Sequence, residues 1–207
     1  MLLRRLCALY VGLWLYGLSM AVMIRANLGL DPWDVFHQGV ARHVPISFGT
    51  VTALTGVAVL LAWIPLRQRP GLGTISNVVV IAISVDAGLW LLPQWHALVP
   101  RVLAMFAAVL LNAVATVLYI GAGMGPGPRD GLMTGLVART GRPVWAVRTG
   151  IEATVLVTGF LLGGGVGVGT LVYAFGIGPL IHLLIPLADR WLPGFHTDRA
   201  EPAVAAQ

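Results

Sequence analysis

Lysine is missing from the chain, and cysteine occurs once, at Cys7. Without lysine there is no GxxxxGK[ST] phosphate loop, although Gly71-Leu72-Gly73-Thr74 and Gly167-Val168-Gly169-Thr170 carry its glycines. One thiol excludes an internal disulfide and a cysteine-pair metal site. Charge of either sign is sparse: 10% of residues are charged, against about 25% in soluble domains. No HExxH, Ser/His/Asp set or Cys/His zinc spacing occurs. No catalytic residue, cofactor or metal is therefore expected, and the chain does not read as an enzyme. The net charge of +5 rests on arginines scattered between apolar runs. They form no basic stripe, so nucleic acid is not an expected partner.

What fills the chain instead is apolar. The composition is 57% hydrophobic and the mean hydropathy is +0.86, which predicts an integral membrane protein whose main partner is the lipid bilayer. The apolar runs are Leu6–Ile24, Phe48–Leu66, Thr74–Pro93, Arg101–Gly121, Val144–Leu162 and Thr170–Leu187. Each is near the ~20 residues that cross a bilayer as a helix. The expectation is one all-α membrane domain over 1–207 with about six transmembrane helices, or five if one weak run lies in the interface. The first run lacks a small-x-small cleavage pattern and has an internal counterpart, so it reads as a span rather than a signal peptide. Residues 191–207 read as a polar, disordered cytoplasmic tail.

The counterpart arises from an internal repeat at an offset of 96 residues: Gly29/Gly125, Pro32/Pro128, Asp34/Asp130, Gly39/Gly135, Gly71/Gly167, Gly73/Gly169 and Thr74/Thr170. Identities of Gly, Pro, Asp and Thr at turns are far less common by chance than matches of leucine or alanine. Repeat 1 covers about 6–95 and repeat 2 about 102–190. Three spans per repeat turn the second copy upside down, giving an inverted repeat. The arginines agree. With the N-terminus inside, nine lie in inner segments, while Arg25, Arg42 and Arg101 lie in outer ones. Both termini are then cytoplasmic, in a multi-pass protein of the bacterial cell (cytoplasmic) membrane.

Each repeat also carries a polar insert after its first span, 27–47 and 123–143. In Asp31-Pro32-Trp33-Asp34, Asp31 suits an N-cap, Pro32 the first helical position and Asp34 the positive end of the dipole. Gly127-Pro128-Arg129-Asp130 repeats the pattern after Gly125, with Arg129 in place of Trp33. The first insert predicts a helix of about 11 or 12 residues, roughly half a bilayer. One reading makes the inserts re-entrant helices whose N-terminal ends meet near the midplane. The other lays them flat at the interface.

Further polar residues sit inside spans. Asp86 and His182 occupy equivalent positions, and could form either a proton-carrying pair or a structural hydrogen bond. Arg148 and Glu152 are spaced i,i+4 for a local ion pair, with Glu152 facing a cavity as the alternative. Asn77 and Asn112 suit helix–helix hydrogen bonds. A site between the repeats would draw on Asp34, Asp130, Asp86, His182, Arg148 and Glu152. It would hold an unknown small molecule or ion in a transporter-like protein. Six spans could require a homodimer to enclose a pathway. The alternatives are a non-transporting accessory or regulatory membrane protein acting on a partner and, third, an intramembrane enzyme using Glu152 or Asp130.

At Leu28–Gly39, Gly125–Gly135, Val147–Glu152 and Gly167–Thr170 the chain resembles the YczE/YyaS/YitT-type family of small bacterial integral membrane proteins, and most specifically its YczE-like members. The resemblance runs from about residue 6 to 190. It implies a multi-span protein of the bacterial cytoplasmic membrane with about five spans, and it carries no activity or catalytic residues.

Overall fold

The computed structural model describes residues 2–191, so the expected disordered tail lies almost wholly outside the described residues. Eight helices follow one another: α1 (Leu2–Ala26), α2 (Pro32–Ala41), α3 (Phe48–Leu66), α4 (Leu72–Leu91), α5 (Leu98–Gly121), α6 (Pro128–Thr140), α7 (Val144–Leu161) and α8 (Val168–Trp191). No strand occurs among the described residues. Six helices are long and apolar enough to cross a membrane: α1, α3, α4, α5, α7 and α8. The resemblance implies about five spans; six helices qualify by length and composition, the weakest of them, in α7, an unbroken apolar helix of 18 residues.

Helices α1 and α5 form the centre. Arg5 donates from Nε to Ala122 O at 2.7 Å and from Nη2 to Gly123 O at 2.8 Å. Arg101 does the same at the other end, from Nε to Ala26 O at 2.8 Å and from Nη2 to Asn27 O at 2.5 Å. Each arginine satisfies carbonyls left open at the C-terminus of the other helix. The start of each helix therefore lies at the end of its neighbour, and the two run antiparallel. Around them α4 packs on α1, α8 on α5 and α3 on α4. Leu9, Leu13, Met20, Ile81, Val85 and Tyr119 fill the core between α1, α4 and α5. The outer faces carry exposed apolar side chains such as Leu54, Ile83, Phe106, Phe160 and Phe175. That is the pattern of a surface made for lipid.

The helices after each polar turn begin at matching positions: Pro32 and Pro128, Phe48 and Val144, Leu72 and Val168. The local geometry matches as well. Gly29 and Gly125 have φ of 115° and 118°, a region that only glycine enters without strain. Gly73 N donates to Met124 O at 2.8 Å, and Gly169 N to Leu28 O at 2.7 Å. Gly71 N and Gly167 N donate to Thr74 Oγ1 and Thr170 Oγ1 at 3.1 and 3.2 Å. The glycine-threonine turns thus cap α4 and α8 and hold the opposite half's insert.

Candidate functional site

Helix α2 starts as its residue types dictate. Asp31 Oδ1 accepts from Asp34 N at 2.8 Å, and Pro32 occupies the first turn, where its missing N–H costs nothing. It ends after 10 residues, slightly short of expectation. No residue of α2 is exposed. It packs on α7, while α6 packs on α3, so each half-length helix leans on the other half of the chain. Trp63 Nε1 donates to Pro128 O at 3.0 Å and Gln38 Oε1 accepts from Gly165 N at 2.7 Å, which fastens both crossings.

Between the two helix starts lies a cavity of about 350 Å³ lined by Asp31, Trp33 and His37 of α2 and by Arg129 and Asp130 of α6. Arg129 reaches across the halves. Its guanidinium nitrogens stand 3.8 Å from Asp31 Oδ2 and 3.9 Å from Asp34 Oδ1, and its carbon lies 4.9 Å from the centre of the Trp33 ring. At those separations the attraction is charge and cation–π rather than direct hydrogen bonding. Asp130 Oδ2 accepts from the Tyr119 hydroxyl at 3.1 Å. Tyr16 and Tyr173 complete the aromatic wall, and Asn77 lies on it too.

His37 is 2% exposed. Its Nδ1 lies 3.2 Å from Asp34 Oδ1 and 3.4 Å from Thr52 Oγ1. Thr52 gives its own proton to Phe48 O at 3.0 Å. Both neighbours are therefore acceptors, and Nδ1 carries the hydrogen. Nε2 is left as a buried lone pair with no partner. Burial, helped by the charge of Arg129, pushes the ring's affinity for a second proton down.

The remaining candidates from the sequence divide. Arg148 Nε donates to Glu152 Oε1 at 3.0 Å, and both line the cavity with side chains 61% and 40% exposed. They mark the wall where the cavity meets the exterior. On this side α7 and α8 make no contact comparable to that of α3 with α4. Asp86 stays outside the cavity. It accepts from Gly49 N at 2.8 Å and from the Ser47 hydroxyl, and so caps α3. His182 is exposed on α8. No ion pair joins Asp86 and His182 among the described residues, so the structure does not bring these two together. Asn112 ties three helices, donating to Ser19 Oγ at 2.9 Å and accepting from the Tyr173 hydroxyl at 3.1 Å. Among the described residues no group of three or more His, Cys, Asp or Glu side chains could hold a metal.

Sequence reasoning did not place His37, Tyr16, Tyr119 or Tyr173 in a site. For His37 a signal exists, because it lies one helical turn after Asp34. For the tyrosines none does, since they come from α1, α5 and α8 and meet only on packing.

Six apolar helices around a polar, aromatic-walled cavity define an integral membrane protein. Within that class the chain belongs to a family of unknown function, DUF6198, whose model matches residues 3–186. It is 35% identical over 187 residues to an uncharacterized protein of Haemophilus influenzae, covering 90% of this chain and 86% of that one. It is 31% identical over 173 residues to the uncharacterized membrane protein YczE of Bacillus subtilis, covering 83% and 80%. With the uncharacterized protein YyaS of Bacillus subtilis the identity is 23% over 184 residues, covering 87% and 92%. No solved structure matches the chain.

Proposed function

We propose that the protein is a transporter-like protein of the bacterial cytoplasmic membrane that binds a small molecule or ion between two inverted repeats. Each repeat contributes three spans and one re-entrant half-length helix, and both termini are cytoplasmic. The observation that carries this reading is the meeting of Arg129 with Asp31 at 3.8 Å. Their inserts leave the central pair at opposite ends, after Ala26 and after Ala122. Ala122 sits against Arg5, 21 residues before Ala26 on α1, which is about 30 Å at the α-helical rise. That two chain segments start so far apart and then touch supports entry from opposite faces. Flat interfacial helices would stay apart. Irregular backbone at such depth is tolerated where it lines an enclosed cavity, and paired broken helices at the midplane are how many transporters build their sites.

The cavity also argues against a purely accessory role, for which a solid bundle would serve. Catalysis forms no part of the proposal. The test is reconstitution in proteoliposomes with a panel of charged and neutral small solutes, comparing the wild type with Asp34→Asn and Asp130→Asn. Saturable flux of at least one solute, lost in both variants, is the expected result. Flux that is indifferent to both carboxylates, or no flux across the panel, overturns the reading and favours the accessory role.

A further inference from the structure

We infer that the cavity between α2 and α6 is a binding site for a small organic cation that carries N–H donors, such as a primary ammonium. The inference deepens the transporter reading by naming the substrate class, and it rests on that reading for its location between the repeats.

Charge comes first. The carboxylates of Asp31, Asp130 and Glu152 and the guanidinium groups of Arg129 and Arg148 line the cavity, and the carboxylate of Asp34 stands behind them, 3.9 Å from Arg129. Carboxylates outnumber cations by two. Uncompensated charge in an apolar surround is costly, so an occupant of positive charge is favoured over an anion. Hydrogen bonding adds to this. Several of the cavity's donors are already engaged: Arg148 Nε with Glu152, the Tyr119 hydroxyl with Asp130 and the Tyr173 hydroxyl with Asn112, while Arg129 is held by charge 3.8 Å from Asp31 and 3.9 Å from Asp34. Acceptors remain open. Asp31 and Asp130 offer carboxylate oxygens, and the lining residue His37 holds a buried Nε2 lone pair without a partner. A ligand that donates satisfies it, whereas a carboxylate cannot.

Shape and wall chemistry narrow the class. Tyr16, Tyr119 and Tyr173 supply aromatic surface suited to a cation. A volume of about 350 Å³ sits at the small end of ligand pockets, which run from roughly 300 Å³ upward. It is far larger than a bare ion needs, and the site offers no cluster of metal ligands among the described residues.

The test is equilibrium binding to the purified full-length protein in detergent by calorimetry. The probes share one ring: benzylammonium, benzyltrimethylammonium, benzyl alcohol and benzoate. Benzylammonium is expected to bind most tightly. Benzyltrimethylammonium, which has charge but no N–H for His37, is expected to be weaker, and the alcohol and benzoate weaker still. Asp31→Asn and Asp130→Asn each weaken benzylammonium by roughly tenfold, the scale of one charge-assisted contact, while Asp130→Glu retains most of the affinity. Monodisperse elution of each variant separates lost binding from lost fold. Tighter binding of benzoate, equal binding of alcohol and ammonium, binding untouched by the carboxamides, or no binding of any probe overturns the inference. Because no flux is measured, the two proposals fail separately. Ammonium binding without transport sinks only the transporter reading, and carboxylate-dependent transport of an anion sinks only the cation class.

Discussion

Asp31 caps α2 and lines the cavity, and Asp34 lies in the first turn of α2 beside a small adjoining space; both are outside the six candidate spans. Burial pushes both carboxyls up from the ordinary aspartate range. For Asp31 the neighbouring Asp34 adds to the rise, and Arg129 opposes it for both. His37 also acts on Asp31, in the same sense as Arg129. A bound cation stabilises the ionised carboxylates, so binding and proton uptake oppose each other. Benzylammonium affinity should hold at alkaline pH and fall on acidification, with the loss beginning above the pH at which exposed aspartates, near 3.9, take up protons. Titrating affinity by calorimetry from pH 8 to pH 5 checks this. A profile that is flat, or that rises on acidification, would contradict the role given to these carboxylates. Asp31→Asn should flatten the dependence, since one of the competing sites is gone.

At the crossing of α2 and α7 the packing is backbone against backbone. A Cβ added at Gly159 would lie 2.4 Å from Phe36 N and 2.6 Å from the Val35 carbonyl carbon. Gly150, two and a half turns earlier in α7, has nothing within 4 Å. Gly159→Ala should therefore lower the thermal midpoint in detergent, on the scale of overpacking, about 1–3 kcal/mol. Gly150→Ala should leave it unchanged or raise it slightly, because alanine favours the helix by about 1 kcal/mol. Equal behaviour of the two would mean that α2 is not seated on α7 as described. Much of this layer was legible. The duplicated Gly, Pro and Asp placed both short helices, and the N-cap at Asp31 lies where its residue type suggests. Asp86 was harder. Its place five residues before the end of α4 puts it against the first turn of α3, far along the helix from where a partner at the centre, such as His182, could meet it. The cavity wall was not legible, for a physical reason. In a membrane helix both the lipid face and the core face are apolar, so the 3.6-residue pattern that marks an inward face in soluble proteins is muted. Nothing in the sequence then says that Tyr16, Tyr119 and Tyr173 converge.

The two halves of the molecule are alike in backbone and unlike in chemistry. Arg5 and Arg101 make the same pair of hydrogen bonds at opposite ends of the central helices, and truncating either to alanine removes equivalent contacts. The starts of the short helices differ: Asp31 and Trp33 at α2 correspond to Gly127 and Arg129 at α6. One half supplies the acidic and aromatic side of the cavity, and the other supplies the arginine that bridges to it. Such a division suits a site that must present different faces to the two sides of a membrane, provided that the halves are oppositely oriented. Orientation is the claim that can be tested on the whole molecule. Val44 and Thr140 occupy equivalent positions after α2 and at the end of α6, and both are exposed. The proposed orientation puts nine arginines in inner segments against three in outer ones, as the positive-inside rule favours. On that basis Val44 faces outward and Thr140 inward. In a Cys7→Ser background, Val44→Cys should react with a membrane-impermeant maleimide on intact cells. Thr140→Cys should react only after the membrane is opened. Labelling of both from the same side would remove the inversion. With it would go the reason for the two helix starts to approach from opposite faces, and the cavity between them would need another explanation.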